Sequence, residues 1–318
     1  MRLVVIGTGS VGRSIAELAA DYGHEIVGLA DSAGAVIAED GVDVADAFET
    51  KAADGTVGSA DPADVFETSY DVLVEATTTV DDANPGFENA REALARDRDV
   101  VLANRDPVAK RFDELRELER NSDGTVKFGA TVGGSLPIIS ILTDHRPSNI
   151  VSVRGVLNDT SNFILSRMAA EKLDYEHVLT EAKELGIADE DPSADVNGTD
   201  TAVKCTILSN MLSSYDESAI DDSITVDDVD TDGITNIPGS LLELAAQDSR
   251  TIRLIGEVNG NGVRVGPRLV PDDSPLAAEG AQNIVQIETT HSGTITLSGQ
   301  GMDDHGTASA VFTDIDRL

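Results

Sequence analysis

Basic residues are scarce in this chain. Twenty-three lysines and arginines stand against 58 aspartates and glutamates, giving a formal charge of −35 and a pI near 4.2. That balance argues against nucleic acid and anionic membrane as partners, since both are polyanions. Cysteine is scarcer still. Cys205 is the only one, which excludes an intrachain disulfide and a thiolate metal cluster. Set in an apolar helical stretch, it reads as a small buried side chain. Long hydrophobic runs are missing as well: none approaches membrane-spanning length, and Met1-Arg2 leads straight into a strand without a signal peptide. The expectation is a cytoplasmic protein. His24, His145, His177 and His291 are scattered without ligand spacing.

What is present is enough to fold. Apolar residues make up 40% of the 318 positions, and their periodicity is intact, so the chain reads as folded rather than disordered. Its length suits one extended domain or two compact ones. The acids run from Asp21 to Asp316 rather than forming a tail, a distribution that fits a surface kept soluble in concentrated salt.

The first half alternates strands and helices. Residues 3–6 are an apolar run followed by Gly7-Thr8-Gly9-Ser10-Val11-Gly12, a helical pattern, a second run at 25–30, and Asp31, nineteen residues after Gly12. Strand, glycine turn, helix, strand and acid occur in the order of the dinucleotide fingerprint. Gly7 permits the tight turn, Gly9 lets backbone approach a pyrophosphate, and Gly12 lets the helix pack closely. The helix N-terminus then offers unpaired N–H groups to phosphate. Asp31 is placed to accept from adenosine ribose hydroxyls and to repel a 2′-phosphate, favouring NAD over NADP. The alternatives are a glycine turn without nucleotide and one more surface acid. Runs at 71–75, 99–102 and 125–129, with helices between, extend the pattern to a doubly wound parallel α/β sheet. Ligands bind such sheets at the strands' C-terminal ends, so 75–79, 104–105 and 130–135 should line the crevice. Thr77–Thr79 reads equally well as a plain β-branched strand end.

The second half opens with a strand at 151–157 and a helix at 160–170. Residues 213–235 read as a loop and 241–248 as a helix. Strands follow at 253–258, 263–269, 284–288 and 294–297. This is an α+β domain whose open sheet face a second subunit would cover. Before these strands, residues 181–211 pass from a helix end at Gly186 through an acidic loop with Pro192 and Gly198 into a helix beginning near Asp200. At 3.6 residues per turn Val203, Ile207, Leu208, Met211 and Leu212 share one broad face. Asp200 and Lys204 fall inside that apolar arc, Thr206 and Ser209 opposite it and Asn210 at its margin. A lysine among apolar residues suits proton transfer governed by a nearby carboxylate; the alternative is an ordinary i,i+4 helix pair.

Taken in order, GTGSVG at 7, VLANRDPVA at 101, ATVGGSLPII at 130, GVLNDTSNFILSRM at 155, EAKELGIADEDPSADVNGTDTAVK at 181 and GTASAVFTDI at 306 resemble homoserine dehydrogenase across nearly the whole chain. The phrase at 181–204 is the most family-specific. The resemblance implies a Rossmann NAD(P)-binding domain at 1–135, a substrate-binding and dimerisation domain at 136–300, and a segment at 301–318 returning to the nucleotide domain. Longer members add a regulatory domain, for which this chain ends too early. It implies NAD(P)-linked interconversion of L-homoserine and L-aspartate 4-semialdehyde in threonine and methionine biosynthesis, by a homodimer. Lys204 and Asp200 match the catalytic pair, and Asp195, Asp189 and Thr160 match substrate-contacting positions. The cofactor positions are Gly7, Thr8, Gly9, Ser10, Val11, Gly12, Asp31, Thr77, Asn104 and Gly301. Backbone carbonyls of Gly129, Val132, Gly134 and Leu136 match a site for Na+ or K+ in some members.

Three positions depart from the family pattern. Arg105 replaces a second active-site lysine; a guanidinium binds and polarises but does not release its proton. Asp159 stands in a usual Asn-Gly-Thr, and Gly301-Met302-Asp303-Asp304-His305 replaces a phrase rich in glycine and alanine. These departures leave two alternatives open, a dehydrogenase of another small amino or hydroxy acid and a nucleotide-binding paralogue without activity.

Overall fold

The computed structural model describes residues 1–78, 82–215, 223–300 and 304–318. Two compact units divide the chain, one formed by Met1–Pro137 with Met302–Leu318 and the other by Ile138–Gly301.

The first unit is built on a six-stranded sheet: β1 (Arg2–Ile6), β2 (Glu25–Ala30), β3 (Ala35–Ile37), β4 (Val72–Glu75), β5 (Asp99–Leu102) and β6 (Val126–Lys127), in the order β3-β2-β1-β4-β5-β6. All neighbours run parallel except the edge pair β2–β3. Leu3, Val4, Val5, Val72, Leu73 and Val74 are fully buried, as continuous apolar strands must be when both sheet faces are covered. The covering helices are α1 (Ser10–Leu18), α2 (Val44–Asp54), α3 (Gly86–Leu94), α4 (Asp106–Lys110) and α5 (Phe112–Arg120). The strand order reverses at β1, between β2 and β4, and a cofactor crevice belongs at the C-terminal ends there.

The run expected at 125–129 pairs only over Val126–Lys127; Gly129–Thr131 is a single 3-10 turn. A final helix, Asp304–Ile315, belongs to this unit. It sinks Ala308, Val311, Phe312 and Ile315 into the core formed with Leu3, Ile15, Ala19 and Val101, and Phe312 stacks on Tyr22 with ring centroids 4.3 Å apart.

In the second unit α6 (Ile138–Asp144) precedes a mixed six-stranded sheet. Its strands are β7 (Ile150–Val156), β8 (Asp230–Thr231), β9 (Arg250–Asn259), β10 (Gly262–Pro271), β11 (Gln282–Thr289) and β12 (Gly293–Gln300), ordered β12-β11-β7-β9-β10-β8. Its helices are α7 (Asp159–Glu171), α8 (Tyr175–Glu184), α9 (Ser193–Val196), α10 (Thr199–Ser213) and α11 (Gly239–Gln247), which makes the Asp304–Ile315 helix α12. Helices α7, α10 and α11 pack against the sheet at β9.

The polar side expected for α10 is corrected here. Thr206 is fully buried and Asn210 is 3% exposed, so the helix is enclosed almost all round. Both polar groups are satisfied internally: the Thr206 hydroxyl donates to the Ala202 carbonyl, and Asn210 exchanges two hydrogen bonds with the backbone of Ile224. A helical wheel cannot separate a solvated threonine from one bonded back to its own helix. No helix among the described residues is long and apolar enough to cross a membrane.

Candidate active site

The glycine turn of the first unit is shaped by contact. Gly7 has φ +103°, and a Cβ there would lie 2.4 Å from the Ala76 carbonyl group; a Cβ on Gly12 would lie 1.8 Å from the Gly7 oxygen. Both positions therefore admit only glycine. Gly9 differs: a Cβ there would meet no protein atom within 4 Å, which leaves its backbone open to a phosphate. It caps α1 without a side-chain hydrogen bond, so the first amides of α1, from Ser10 and Val11 on, keep their anion-binding character. The Ser10 hydroxyl donates to Asp304 at 3.1 Å.

At the end of β2, Asp31 is held on four sides. Its Oδ1 accepts from the Ala33 and Gly34 amides at 2.9 and 3.1 Å, its Oδ2 from the Thr8 hydroxyl at 2.8 Å and from Lys51 Nζ at 2.8 Å. Lys51 also donates to Thr8. Burial would raise the carboxyl's pKa, but Lys51, the Ala33 amide and Thr8 together outweigh it and hold Asp31 below the usual carboxylate range.

Thr77 and Asn104 meet across the ends of β4 and β5, the Asn104 amide 3.5 Å from the Thr77 hydroxyl. Arg105 is the half-buried residue preceding α4. In the 129–136 loop, Gly133 and Gly134 have φ +82° and +60°. The Gly129 carbonyl there accepts a long bond of 3.4 Å from the Val132 amide, and the Gly133 carbonyl accepts from Leu136. Asp314 of α12 closes on the start of this loop. Its carboxylate accepts from the Gly129 amide at 2.6 Å and from that of Ala130, and burial pushes its pKa up to about 6 against those bonds. Gly301 lies outside the described residues, as do Met302 and Asp303.

The second unit gathers the remaining polar residues at the N-termini of α7 and α10. Lys204 Nζ donates to Asp200 Oδ2 at 2.7 Å and to the Leu157 carbonyl at 2.6 Å, with the lysine 4% and the aspartate 7% exposed. Asn158 links this pair to Asp195: its amide donates at 2.9 Å to Asp200 and at 2.6 Å to Asp195, while its Oδ1 caps α7 by accepting from Ser161 N. Burial raises the Asp195 pKa, and the charges of Asp200 and Asp159 add to that against the opposing pull of Asn158 and Lys204.

Asp195 and Asp200 with one lysine, and Asp159 acting on Asp195, leave an excess of negative charge suited to a cationic group of a ligand. The Thr160 hydroxyl is turned away from the cluster, donating to the Ile187 carbonyl at 2.9 Å and so anchoring the loop that carries the exposed Asp189.

Expected site residues therefore fall into two groups. Thr8 with Asp31, Thr77 with Asn104, and Asp195 with Asp200 and Lys204 come together. Thr160 bonds instead to Ile187, and Asp189 is exposed. The sequence assigns no role to Lys51 or Asp314, whose partners lie 20 and 185 residues away, and it places Glu75 at the crevice without its partners Thr77, Asn89 and Asn104. Asn158 did carry a signal, an asparagine just before a helical run.

A model of the family Homoserine dehydrogenase matches residues 137–315, and one of Glutamate/Leucine/Phenylalanine/Valine dehydrogenase matches residues 1–86. The chain is 35% identical to a homoserine dehydrogenase of Methanocaldococcus jannaschii, covering 99% of this chain and 97% of that protein. Its fold matches an Archaeoglobus fulgidus protein assigned as a homoserine dehydrogenase (TM-score 0.90, 34% identity, covering 100% of this chain and 98% of that one). It also matches a hyperthermophilic archaeal homoserine dehydrogenase in complex with NADPH (TM-score 0.83, 29% identity, 99% and 96% covered). Similar along nearly its whole length to proteins of one family, and matched over more than half of it by that family's model, the chain belongs to the homoserine dehydrogenases.

Proposed function

We propose that this protein interconverts L-homoserine and L-aspartate 4-semialdehyde with a nicotinamide dinucleotide as hydride carrier. The observation that carries the reading is the buried Lys204–Asp200 pair, joined through Asn158 to Asp195. In the oxidation, the substrate's C4 gives up a hydride and its hydroxyl a proton, and the C–O bond becomes a carbonyl. Lys204 exchanges that proton. Asp200 and the Leu157 carbonyl fix the lysine's direction, and Asn158 holds Asp200 and Asp195 side by side. Asp195 receives the substrate ammonium, with Asp189 and Thr160 shaping its surroundings, and Arg105 binds or polarises without transferring a proton.

The dinucleotide, when bound, accepts or returns the hydride. Gly7, Thr8, Gly9, Ser10, Val11 and Gly12 would cradle its pyrophosphate and Asp31 would take the adenosine ribose, with Thr77, Asn104 and Gly301 as the remaining cofactor-binding residues. The open backbone at Gly9 and the uncapped start of α1 fit that group. Asp31 favours NAD, and Lys51 beside it offsets the repulsion of a 2′-phosphate, so NADP is admitted as the weaker cofactor. Units 1–135 and 301–318 serve the nucleotide and 136–300 the substrate and a homodimer contact. Carbonyls of Gly129, Val132, Gly134 and Leu136 hold Na+ or K+. The acidic surface belongs to a cytoplasmic protein at high salt, working in threonine and methionine synthesis.

The test is L-homoserine oxidation in multimolar KCl, followed by NADH absorbance, with NADP in parallel. Homoserine-dependent turnover is the expected result. No turnover from protein that binds NADH in the same buffer would overturn the substrate assignment.

A further inference from the structure

A carboxylate that the chemistry above does not use lies beneath the expected cofactor crevice. Glu75 is the last residue of β4, in register with Ile6 of β1 and Leu102 of β5, and it is 0% exposed. Burial raises its pKa, and every donor identified on it is neutral. Oε1 accepts from the Thr77 amide at 2.8 Å and from the Thr77 hydroxyl; Oε2 accepts from Asn89 of α3 at 2.7 Å; the Asn104 side chain donates as well. The backbone repeats the tie, because the Glu75 carbonyl accepts from the Ala103 and Asn104 amides at 2.9 and 3.2 Å.

We propose that Glu75 is a positioning residue of the cofactor site, setting Thr77 and Asn104 against the glycine turn; this rests on the dinucleotide reading above. The Ala76–Thr77 peptide is the surface on which the turn sits: a Cβ on Gly7 would fall 2.4 Å from the Ala76 carbonyl carbon and 2.6 Å from Thr77 N. Glu75 grips that Thr77 N–H from the other side, so one carboxylate fixes the support of the phosphate loop and the Asn104 amide together. The surroundings leave little slack. A Cβ on Gly86 would lie 2.8 Å from Asn104 Nδ2 and 3.2 Å from Glu75 Oε1. Packing alone would call for a leucine here. Four converging donors call for an acceptor with two oxygens.

The experiment titrates NADH by fluorescence and determines KM for NAD and for L-homoserine, with Tm alongside, in wild type, Glu75→Ala, Glu75→Gln and Asn89→Ala. Glu75→Ala strands buried donors and should weaken NADH binding about ten-fold or more, with KM for homoserine within about two-fold of wild type. Glu75→Gln keeps an acceptor for the Thr77 amide and turns its NH2 toward Asn89, whose amide can flip. Binding should return to within about three-fold of wild type. Asn89→Ala, at a half-buried helix position, should weaken NADH about three-fold, and it decides the matter should Glu75→Ala not fold. Unchanged NADH affinity in folded Glu75→Ala, or in Asn89→Ala, would overturn the role of Glu75 alone. Parallel loss of both KM values and Tm, unrelieved by Gln, would do the same. Failure of the wild type to bind NADH or NADPH would overturn the dinucleotide reading and this inference with it.

Discussion

Each unit sets one lysine–aspartate pair of nearly equal length among its candidate site residues. Lys51 meets Asp31 at 2.8 Å with side chains 31% and 12% exposed; Lys204 meets Asp200 at 2.7 Å with side chains 6% and 7% exposed. Distance does not distinguish them, but surroundings do. In the first pair the aspartate is saturated, by two amides, a hydroxyl and the ammonium, and the lysine is the partly wet partner. In the second the lysine is locked between a carbonyl and a carboxylate, and the aspartate is tied on through Asn158. A buried pair gains little net stability, because desolvation offsets attraction, yet losing one partner strands a charge. In the proposed function the first pair would serve as a tunable surface of recognition and the second as a fixed chemical device.

Breaking the second pair should have the largest effect. Lys204→Ala should lower kcat by about a thousand-fold, within the range of general acid–base removal, while NADH affinity stays at the wild-type value; persistent turnover would end the proton-transfer role. A buried carboxylate held by backbone amides sharpens the contrast. The folded pKa of Asp314 is raised to about 6 from an ordinary 3.8, so the folded state holds the proton more tightly than the unfolded one. Its contribution to stability is complete below about pH 4 and is lost as pH rises through 6, by on the order of 2–3 kcal/mol. Urea midpoints of Asp314→Asn against wild type should diverge over that window, the variant gaining relative to wild type as pH rises; parallel curves would contradict the assignment.

Breaking the first pair should do less. Lys51→Met leaves Asp31 without its ammonium and should shift the ratio of NADPH to NADH affinity about ten-fold toward NADH, by direct titration of both. Smallest is Asp304→Asn. It removes a carboxylate that accepts from Ser10 at the start of α1 and should tighten NADH about two-fold at low ionic strength, with the gain vanishing in molar KCl.

How much of this could be read from the chain followed the range of the interaction. The strand–glycine–helix–strand–acid order is local, and β1, α1 and β2 form where it puts them. Asp200 and Lys204 are one helical turn apart, so spacing alone puts them on one face. Thr206 escapes the helical wheel because its hydroxyl is satisfied within its own helix. Lys51 reaches Asp31 across 20 residues, and Gly129 reaches Asp314 across 185; no periodicity encodes such meetings. In a chain with 58 acids, nothing in the letters separates Asp314 from a solvated carboxylate, and Glu75 is marked only by its place at the end of an apolar strand.

The return of α12 to the first unit has a consequence for synthesis. Residues up to Pro137 leave the ribosome with one wall of their core missing, and Met302–Leu318 arrives only after the whole second unit has been made. At ordinary elongation rates that is a delay of about 10–30 seconds. Throughout it, the surface that later receives Phe312 and Ile315 faces solvent. Exposed apolar surface of that kind makes a partly made chain prone to aggregate, and the last helix is the latch that closes it.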